Sequence, residues 1–206
     1  MGGFLKNPTG FHSHWKSTVS TGESQGAYLV MICGILKTIL DIKGNGGYLY
    51  RVIQIREVRD DELLKAGELW SDFMEFNAKF DDSFLVKDKA REIFSREMLE
   101  KFPAKDYRLA VADNDGELIG FCFSYISRKP QYFKLEKFGF IGDLFVKPGF
   151  RRRGIGHDLV KDAFNFFARR KISQIELLVA VKNKNSIEFW EAIGFSHLLT
   201  WMYKRI

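Results

Sequence analysis

A basic, glycine-containing loop constrains the fold of this chain more than any other segment. It reads Arg151-Arg152-Arg153-Gly154-Ile155-Gly156 and separates an apolar run, 138–146, from an amphipathic stretch, 156–170. The periods of these flanks predict a strand before the loop and a helix after it. Glycines let successive backbone N–H groups converge on one anion, and a helix N-terminus adds a positive dipole end. The loop therefore predicts a phosphate-binding turn; a solvated basic turn is the alternative.

The segments around this loop predict an α/β domain with a mixed sheet. Asp60 is the expected N-cap of the first helix, and the nearly unbroken apolar run at 175–181 is typical of a strand covered on both faces. The predicted strands are 51–58, 107–112, 117–127, 138–146, 175–181 and 198–206, and the predicted helices are 63–77, 89–102, 156–170 and 186–193.

Composition excludes several classes of protein. The chain has 206 residues, 46% of them hydrophobic, which is too apolar for a disordered protein. Its two cysteines, Cys33 and Cys122, form no CxxC, and its four histidines lack ligand spacing, so neither a disulfide scaffold nor a metal site is expected. The longest uncharged apolar run, 27–36, has ten residues, whereas a membrane helix needs about 20. We expect a cytoplasmic protein without a membrane segment.

The first 47 residues differ from the rest in composition. Residues 1–26 carry Gly, Ser, Thr and His without a period, 27–40 fits either a short helix or a strand pair, and 43–47 is typical of a turn or linker. We expect residues 1–47 to be a poorly ordered extension and 48–206 to be the functional domain. The alternative is that 27–40 docks on that domain as a flap or a partner-binding helix.

Two motifs carry a resemblance to a known family. Arg151, Gly154 and Gly156 fill the Arg/Gln-x-x-Gly-x-Gly/Ala pattern, and 183–195 follows with an Asn, a small residue at Ser186 and a helix-ending Gly-Phe pair. Residues 50–206 resemble the GNAT superfamily of acyl-CoA-dependent N-acyltransferases. The resemblance implies a mixed, mostly antiparallel sheet that is splayed at the cofactor cleft and flanked by about four helices.

The resemblance also implies where acetyl-CoA binds as co-substrate. The N–H near Phe145 would polarise the thioester carbonyl. The expected cofactor residues are Leu144, Phe145 and Val146, pairing with pantetheine; Arg151, Arg152, Arg153, Gly154, Ile155 and Gly156, around the diphosphate; and Asn183, Ser186 and Trp190, beside the pantetheine arm.

The chain departs from the family pattern at two positions. Trp190 stands where many members carry a Tyr that protonates the leaving thiolate, and an indole N–H cannot serve as that acid. Gly142 stands where some relatives carry a Glu that acts as a base, which leaves Asp143 as the candidate catalytic residue. Its alternative role is that of an ordered structural carboxylate.

Glu75, Asp81 and Asp82 are candidate substrate-binding residues that would attract a cationic acceptor; a solvated acidic helix end is the alternative.

Two functions follow from these observations. The first is an N-acetyltransferase that moves an acetyl group directly from acetyl-CoA to a primary amine of a small molecule or protein. The second is a non-catalytic acyl-CoA-binding module with a basic, nucleic-acid-binding face, since the net charge is +6. No nucleic-acid-reading motif accompanies that charge, which disfavours this partner. Dimers are common among relatives, so a homodimer is compatible with the resemblance. The basic clusters are 128–129, 134, 137, 147 and 169–171.

Overall fold

In the part of the chain that the structure describes, seven strands form one sheet in sequential order from β1 to β7. The computed structural model describes residues 28–32, 36–43, 47–101 and 104–206. Neighbouring strands are antiparallel except β6 and β7, which are parallel. The strands are β1 (Tyr28–Ile32), β2 (Leu36–Lys43), β3 (Gly47–Glu57), β4 (Tyr107–Asn114), β5 (Glu117–Arg128), β6 (Lys137–Val146) and β7 (Ile175–Leu177). The helices are α1 (Leu63–Ala78), α2 (Ala90–Lys101), α3 (Ile155–Arg169) and α4 (Lys184–Ala192).

Helices cover both faces of the sheet, and each face holds one cluster of buried side chains. The alternating direction of side chains along each strand separates the two clusters. On β4, Leu109 and Val111 pack with α1 and α2, while Ala110 and Ala112 pack with α3 and Trp190 of α4. Successive side chains of a strand point to opposite faces, so one strand supplies both clusters. The expected sheet flanked by four helices is confirmed.

Strand β6 pairs with its parallel neighbour β7 over three residues and then separates from it. Residues Gly139–Ile141 pair with Ile175–Leu177, whereas the pairing of β6 with β5 continues to Val146. The second half of β6 therefore has a sheet neighbour on one side. This is the splay that the family resemblance predicts.

The segment 27–40 contains a strand pair, one of the two structures that its sequence fits. Strands β1 and β2 pair with each other, and β2 pairs with β3. Residues 1–27 lie outside the described residues, as does Cys33. The division of the chain at residue 47 remains a prediction.

Three predictions about elements are wrong. Asp60 begins a 3-10 turn, Asp60–Glu62, and the N-cap of α1 is Glu62. Strand β7 ends at Leu177, and Leu178 is 63% exposed, so the apolar run 175–181 is not covered on both faces. The segment 198–206 is not a strand. Because β7 has three residues, it offers no edge along which nine residues could pair.

Two kinds of feature are absent from the described parts of the chain. In the described ranges, no helix combines the length and apolarity needed to cross a membrane. Among the same residues, no group of three His, Cys, Asp or Glu side chains lies close enough together to hold a metal ion.

Candidate active site

The open edge of β6 presents main-chain hydrogen-bonding groups. The N–H of Lys147 donates to the carbonyl of Ile119 on the β5 side at 2.9 Å. Because residues along a strand alternate in the direction of their peptide groups, Phe145 also faces β5, and Leu144 and Val146 face the opening. The N–H of Phe145, which was expected to face the thioester, is therefore directed to β5.

A β-bulge sets the direction of Asp143. Ser124 pairs with Ile141 and Phe123 pairs with Asp143, so Gly142 is the extra residue. A bulge reverses the alternation of side chains along its strand. Ile141 packs with α3, whereas Asp143 turns to the opposite face and hydrogen-bonds to Trp70 of α1.

The same bulge explains the glycine at 142. A Cβ there would lie 3.3 Å from the ring of Phe123 and 3.6 Å from that of Tyr125. The first distance is tighter than an ordinary contact. A larger side chain at 142 would need Phe123 to move.

Burial changes the acidity of Asp143. The residue is half-buried, and removal of its carboxyl from water raises its pKa to about 6. The hydrogen bond from Trp70 acts in the opposite direction, because it stabilises the carboxylate. Burial and the nearby charge of Asp143 also raise the pKa of Tyr125. A carboxyl that titrates near 6 is ionised at neutral pH and basic enough to accept a proton.

The basic loop forms a tight turn at the start of α3. Arg152 and Gly154 have φ values of 63° and 77°, and Gly154 is the N-cap residue of the helix. Both residues are exposed, as is Arg153. Left-handed residues followed by a helix N-terminus direct main-chain N–H groups outward, which is how proteins hold phosphate.

Arg151 closes the end of β6 in this structure. Its Nε donates to the carbonyl of Val146 at 2.8 Å. Its guanidinium carbon lies 4.7 Å from the ring centre of Phe76 and 5.5 Å from that of Phe145. Burial lowers the pKa of Arg151. Arg151 thus joins the turn at Arg152–Gly154, which we call the phosphate turn after its expected ligand, to the open edge of β6.

Helix α4 packs beside the turn. Asn183 is buried and caps the helix, with its Oδ1 accepting from the N–H of Ser186 at 3.2 Å. Trp190 is 8% exposed and contacts Phe189 and Phe195, so its ring is part of the core. A Cβ on Gly156 would lie 3.6 Å from Phe189. The cofactor roles of these residues remain predictions.

The candidate acceptor carboxylates lie at the end of α1 and the turn after it. Glu75 and Asp82 are exposed. Asp81 already accepts hydrogen bonds from Ser83 and, at 2.8 Å, from the hydroxyl of Tyr203, and these donors hold its pKa well below the usual range. Asp81 therefore ties the C-terminal segment to this turn, and its carboxylate is less available to a substrate.

Sequence reasoning missed the partners of the predicted residues. Trp70, Phe76 and Tyr125 contact or surround Asp143 and Arg151, yet each occupies an ordinary apolar position in its helix or strand. The indole of Trp70 and the phenol of Tyr125 each carry one polar group, which is a weak signal in a sequence, and Phe76 carries none.

Known proteins resemble this chain in both sequence and structure. The profile of the Acetyltransferase (GNAT) family matches residues 68–195. A protein named as an uncharacterized N-acetyltransferase of Methanocaldococcus jannaschii is 30% identical over 176 residues, covering 79% of this chain and 72% of that protein.

Solved structures share the fold. An aminoglycoside N-acetyltransferase, AAC(6')-Iy, in complex with CoA has a TM-score of 0.62 and 19% identity, covering 80% of this chain and 99% of its own. A predicted acetyltransferase of Clostridium acetobutylicum with acetyl-CoA has a TM-score of 0.60 and 14% identity, covering 74% and 96%. A Bacillus halodurans protein, BH1408, has a TM-score of 0.65 and 17% identity, covering 74% and 99%.

Proposed function

The chain belongs to the acetyltransferase (GNAT) family, and from this premise we propose that it transfers the acetyl group of acetyl-CoA directly to a primary amine of a small molecule. The observation that carries the proposal is the open edge of β6 joined to the Arg152–Gly154 turn, with Asp143 on the adjoining face. The turn would hold the diphosphate, and the edge would pair with pantetheine.

Asp143 supplies the base for this reaction. An alkyl ammonium ion has a pKa of about 10.4 and must lose a proton before it attacks. The carboxylate of Asp143 accepts that proton, directly or through one water, and the neutral amine then adds to the thioester carbon. A main-chain N–H of Leu144 or Val146 stabilises the oxyanion. The carbon–sulfur bond then breaks and the electron pair leaves with sulfur, while the nitrogen of the adduct gives up its second proton to water, which leaves a neutral amide.

The leaving thiolate does not need a tyrosine acid in this mechanism. A thiol has a pKa of about 8.5, so a thiolate released near neutral pH takes its proton from water. The ring of Trp190 is part of the buried core and holds α4 in place. Direct transfer needs no acyl-enzyme, and Cys122, the cysteine among the described residues, is fully buried, with burial raising its pKa to about 12.

Aromatic rings beside Asp143 support a cationic acceptor of small size. Tyr125 lies 5.9 Å from Tyr107 and 5.3 Å from Phe140, measured between ring centres, and all three rings are half-buried. Aromatic faces attract ammonium groups, and a nearby carboxylate adds charge. The solved relative AAC(6')-Iy is named as an aminoglycoside N-acetyltransferase, and a second structure of it contains the bisubstrate analog CoA-S-monomethyl-acetylneamine, which also favours a small amine as the acceptor.

Asp143→Asn tests the proposal. We expect the variant to lower kcat/KM for the amine by about tenfold or more, because the base is lost, and to leave acetyl-CoA affinity unchanged. In the wild type, kcat/KM should fall as pH decreases through about 6, when Asp143 becomes protonated. The measurement is thiol release against pH with a panel of amines.

Asp115→Asn is the matched control, since Asp115 is an exposed carboxylate in the β4–β5 turn. Full activity in Asp143→Asn would assign the base role elsewhere. Acetyl-CoA binding without amine-dependent thiol release in the wild type would favour the non-catalytic module instead.

A further inference from the structure

A second concave site lies at the end of the molecule remote from the phosphate turn. A cavity of about 440 Å³ opens between the start of β6, the end of β5 and the end of α3. The phosphate turn is at the opposite end of α3, which has 15 residues and is therefore about 22 Å long. The cavity is thus outside the proposed acetyl-CoA cleft.

The walls of this cavity are strongly basic. Five cationic side chains line it: Lys105, Arg128, Lys137, Arg169 and Arg170. One carboxylate, that of Asp106, also lines it. Within the described residues, none of the five cations has a carboxylate oxygen within 4.0 Å, unlike Lys129 nearby, which pairs with Glu176 at 2.7 Å. Among the described residues, the five cations of the cavity wall are therefore unpaired, and one carboxylate in the lining offsets part of their charge.

The C-terminal end of α3 accounts for part of this positive charge. Arg170 donates to the carbonyl of Lys105 at 2.9 Å, and its guanidinium lies 4.0 Å from the ring centre of Phe166. Cations at a helix C-terminus are favourable, which accounts for Arg169 and Arg170. The same explanation does not apply to Lys105, Arg128 and Lys137, which come from the loop before β4 and from two strands.

We propose that this cavity binds a compact oligophosphate, such as an inorganic polyphosphate or the phosphate chain of a nucleotide. Guanidinium groups match phosphate oxygens in a fork geometry, and lysines add point charges. The volume is that of a small-molecule site.

The other lining residues distinguish this ligand from a nucleic acid. Ile126 and Ile172 complete the wall, and no aromatic ring of the described residues lines it. A single-stranded nucleic acid is bound by stacking its bases on aromatic side chains along a groove. The cavity has neither feature.

Binding of tripolyphosphate by calorimetry tests this site in the full chain. We expect the wild type to bind at about physiological salt. Arg128→Gln combined with Lys137→Gln should weaken binding by about tenfold or more, because both exposed side chains point charge into the cavity. Lys65→Gln combined with Lys161→Gln is the matched control, since these exposed lysines lie on α1 and α3 outside the cavity. The control should bind as the wild type does.

Two further binding measurements distinguish this site from the acetyl-CoA cleft and identify its ligand. Acetyl-CoA affinity should be unchanged in the Arg128→Gln, Lys137→Gln variant, so this proposal and the proposed function fail separately. Tripolyphosphate should bind more tightly than sulfate, and ATP should bind at the same site if a nucleotide is the source. Absence of tripolyphosphate binding, equal loss in the control, equal affinity for sulfate, or tighter binding of a single-stranded oligonucleotide would each overturn the proposal.

Discussion

Gly154 is the residue at which the phosphate turn depends most on the absence of a side chain. Its φ of 77° lies in the left-handed region, where a β-branched residue is strained. We expect Gly154→Val to weaken acetyl-CoA binding by about tenfold or more, equivalent to about 1.4 kcal/mol. Calorimetry on the folded variant measures this.

Gly149→Val is the control in the same loop, because a Cβ at Gly149 meets no atom within 4 Å. It should bind acetyl-CoA as the wild type does. Unchanged affinity in Gly154→Val would refute the diphosphate site.

The raised pKa of Asp143 also has a consequence for stability. The carboxyl titrates near 6 in the folded chain and near 3.8 when exposed to water, so the folded state binds this proton more tightly. The corresponding stabilisation is complete below about pH 4 and is lost as pH rises through 6. Asp143→Asn should therefore raise the free energy of unfolding at about pH 7.5, by up to about 3 kcal/mol, and leave it unchanged near pH 4.

Thermal unfolding at the two pH values checks this prediction, with Asp115→Asn following the wild type at both. A variant less stable than the wild type at both pH values would mean that the carboxylate stabilises the fold, contrary to the burial argument.

At the scale of elements, α4 depends on Trp190 for its position. The indole contacts Phe189 and Phe195 in the cluster that α3 shares with the sheet. Trp190→Phe should lower the free energy of unfolding by about 1–2 kcal/mol, since it leaves a cavity, and keep most of the thiol-release activity.

Trp190→Tyr places the hydroxyl found at this position in many relatives and should not reduce the activity. Denaturation curves and thiol release measure the two effects. Loss of activity in Trp190→Phe at unchanged stability would give the indole a direct catalytic role.

Sequence periodicity predicted the long helices and strands. It did not predict the features that depend on pairing between strands. Helix α3 and strand β6 differ from their predicted bounds by one residue at most. The segment 198–206 has the composition of a strand, but Leu199 and Trp201 are 87% and 79% exposed, because a strand needs a partner that local pattern does not reveal. The bulge at Gly142 also depends on register between strands. The motif residues of the site were therefore predictable, whereas the direction of Asp143 was not.

At the scale of the whole molecule, β3 contributes Ile53 to the buried core, and Ile55 packs against the same cluster. Residues Ile53–Glu57 pair with β4, while earlier residues of β3 extend past it to pair with β2. We expect a chain that begins at Tyr48 to fold and to bind acetyl-CoA with an affinity close to that of the full chain.

A chain that begins at Arg59 is the control and should not fold, because it lacks Ile53 and Val58, which are 4% and 7% exposed. Solubility, circular dichroism and calorimetry are the measurements. Insolubility of the chain from Tyr48 would make 27–40 part of the core.

The open edge of β6 also bears on how such a protein can diverge. At Leu144 and Val146 the groups that face the opening belong to the main chain, which every residue type except proline supplies in full. Substitutions there can follow the packing of α3 without altering the hydrogen-bonding pattern offered to a ligand. An edge of this kind depends on the fold more than on residue identity, and solved structures with 14–19% identity to this chain share that fold.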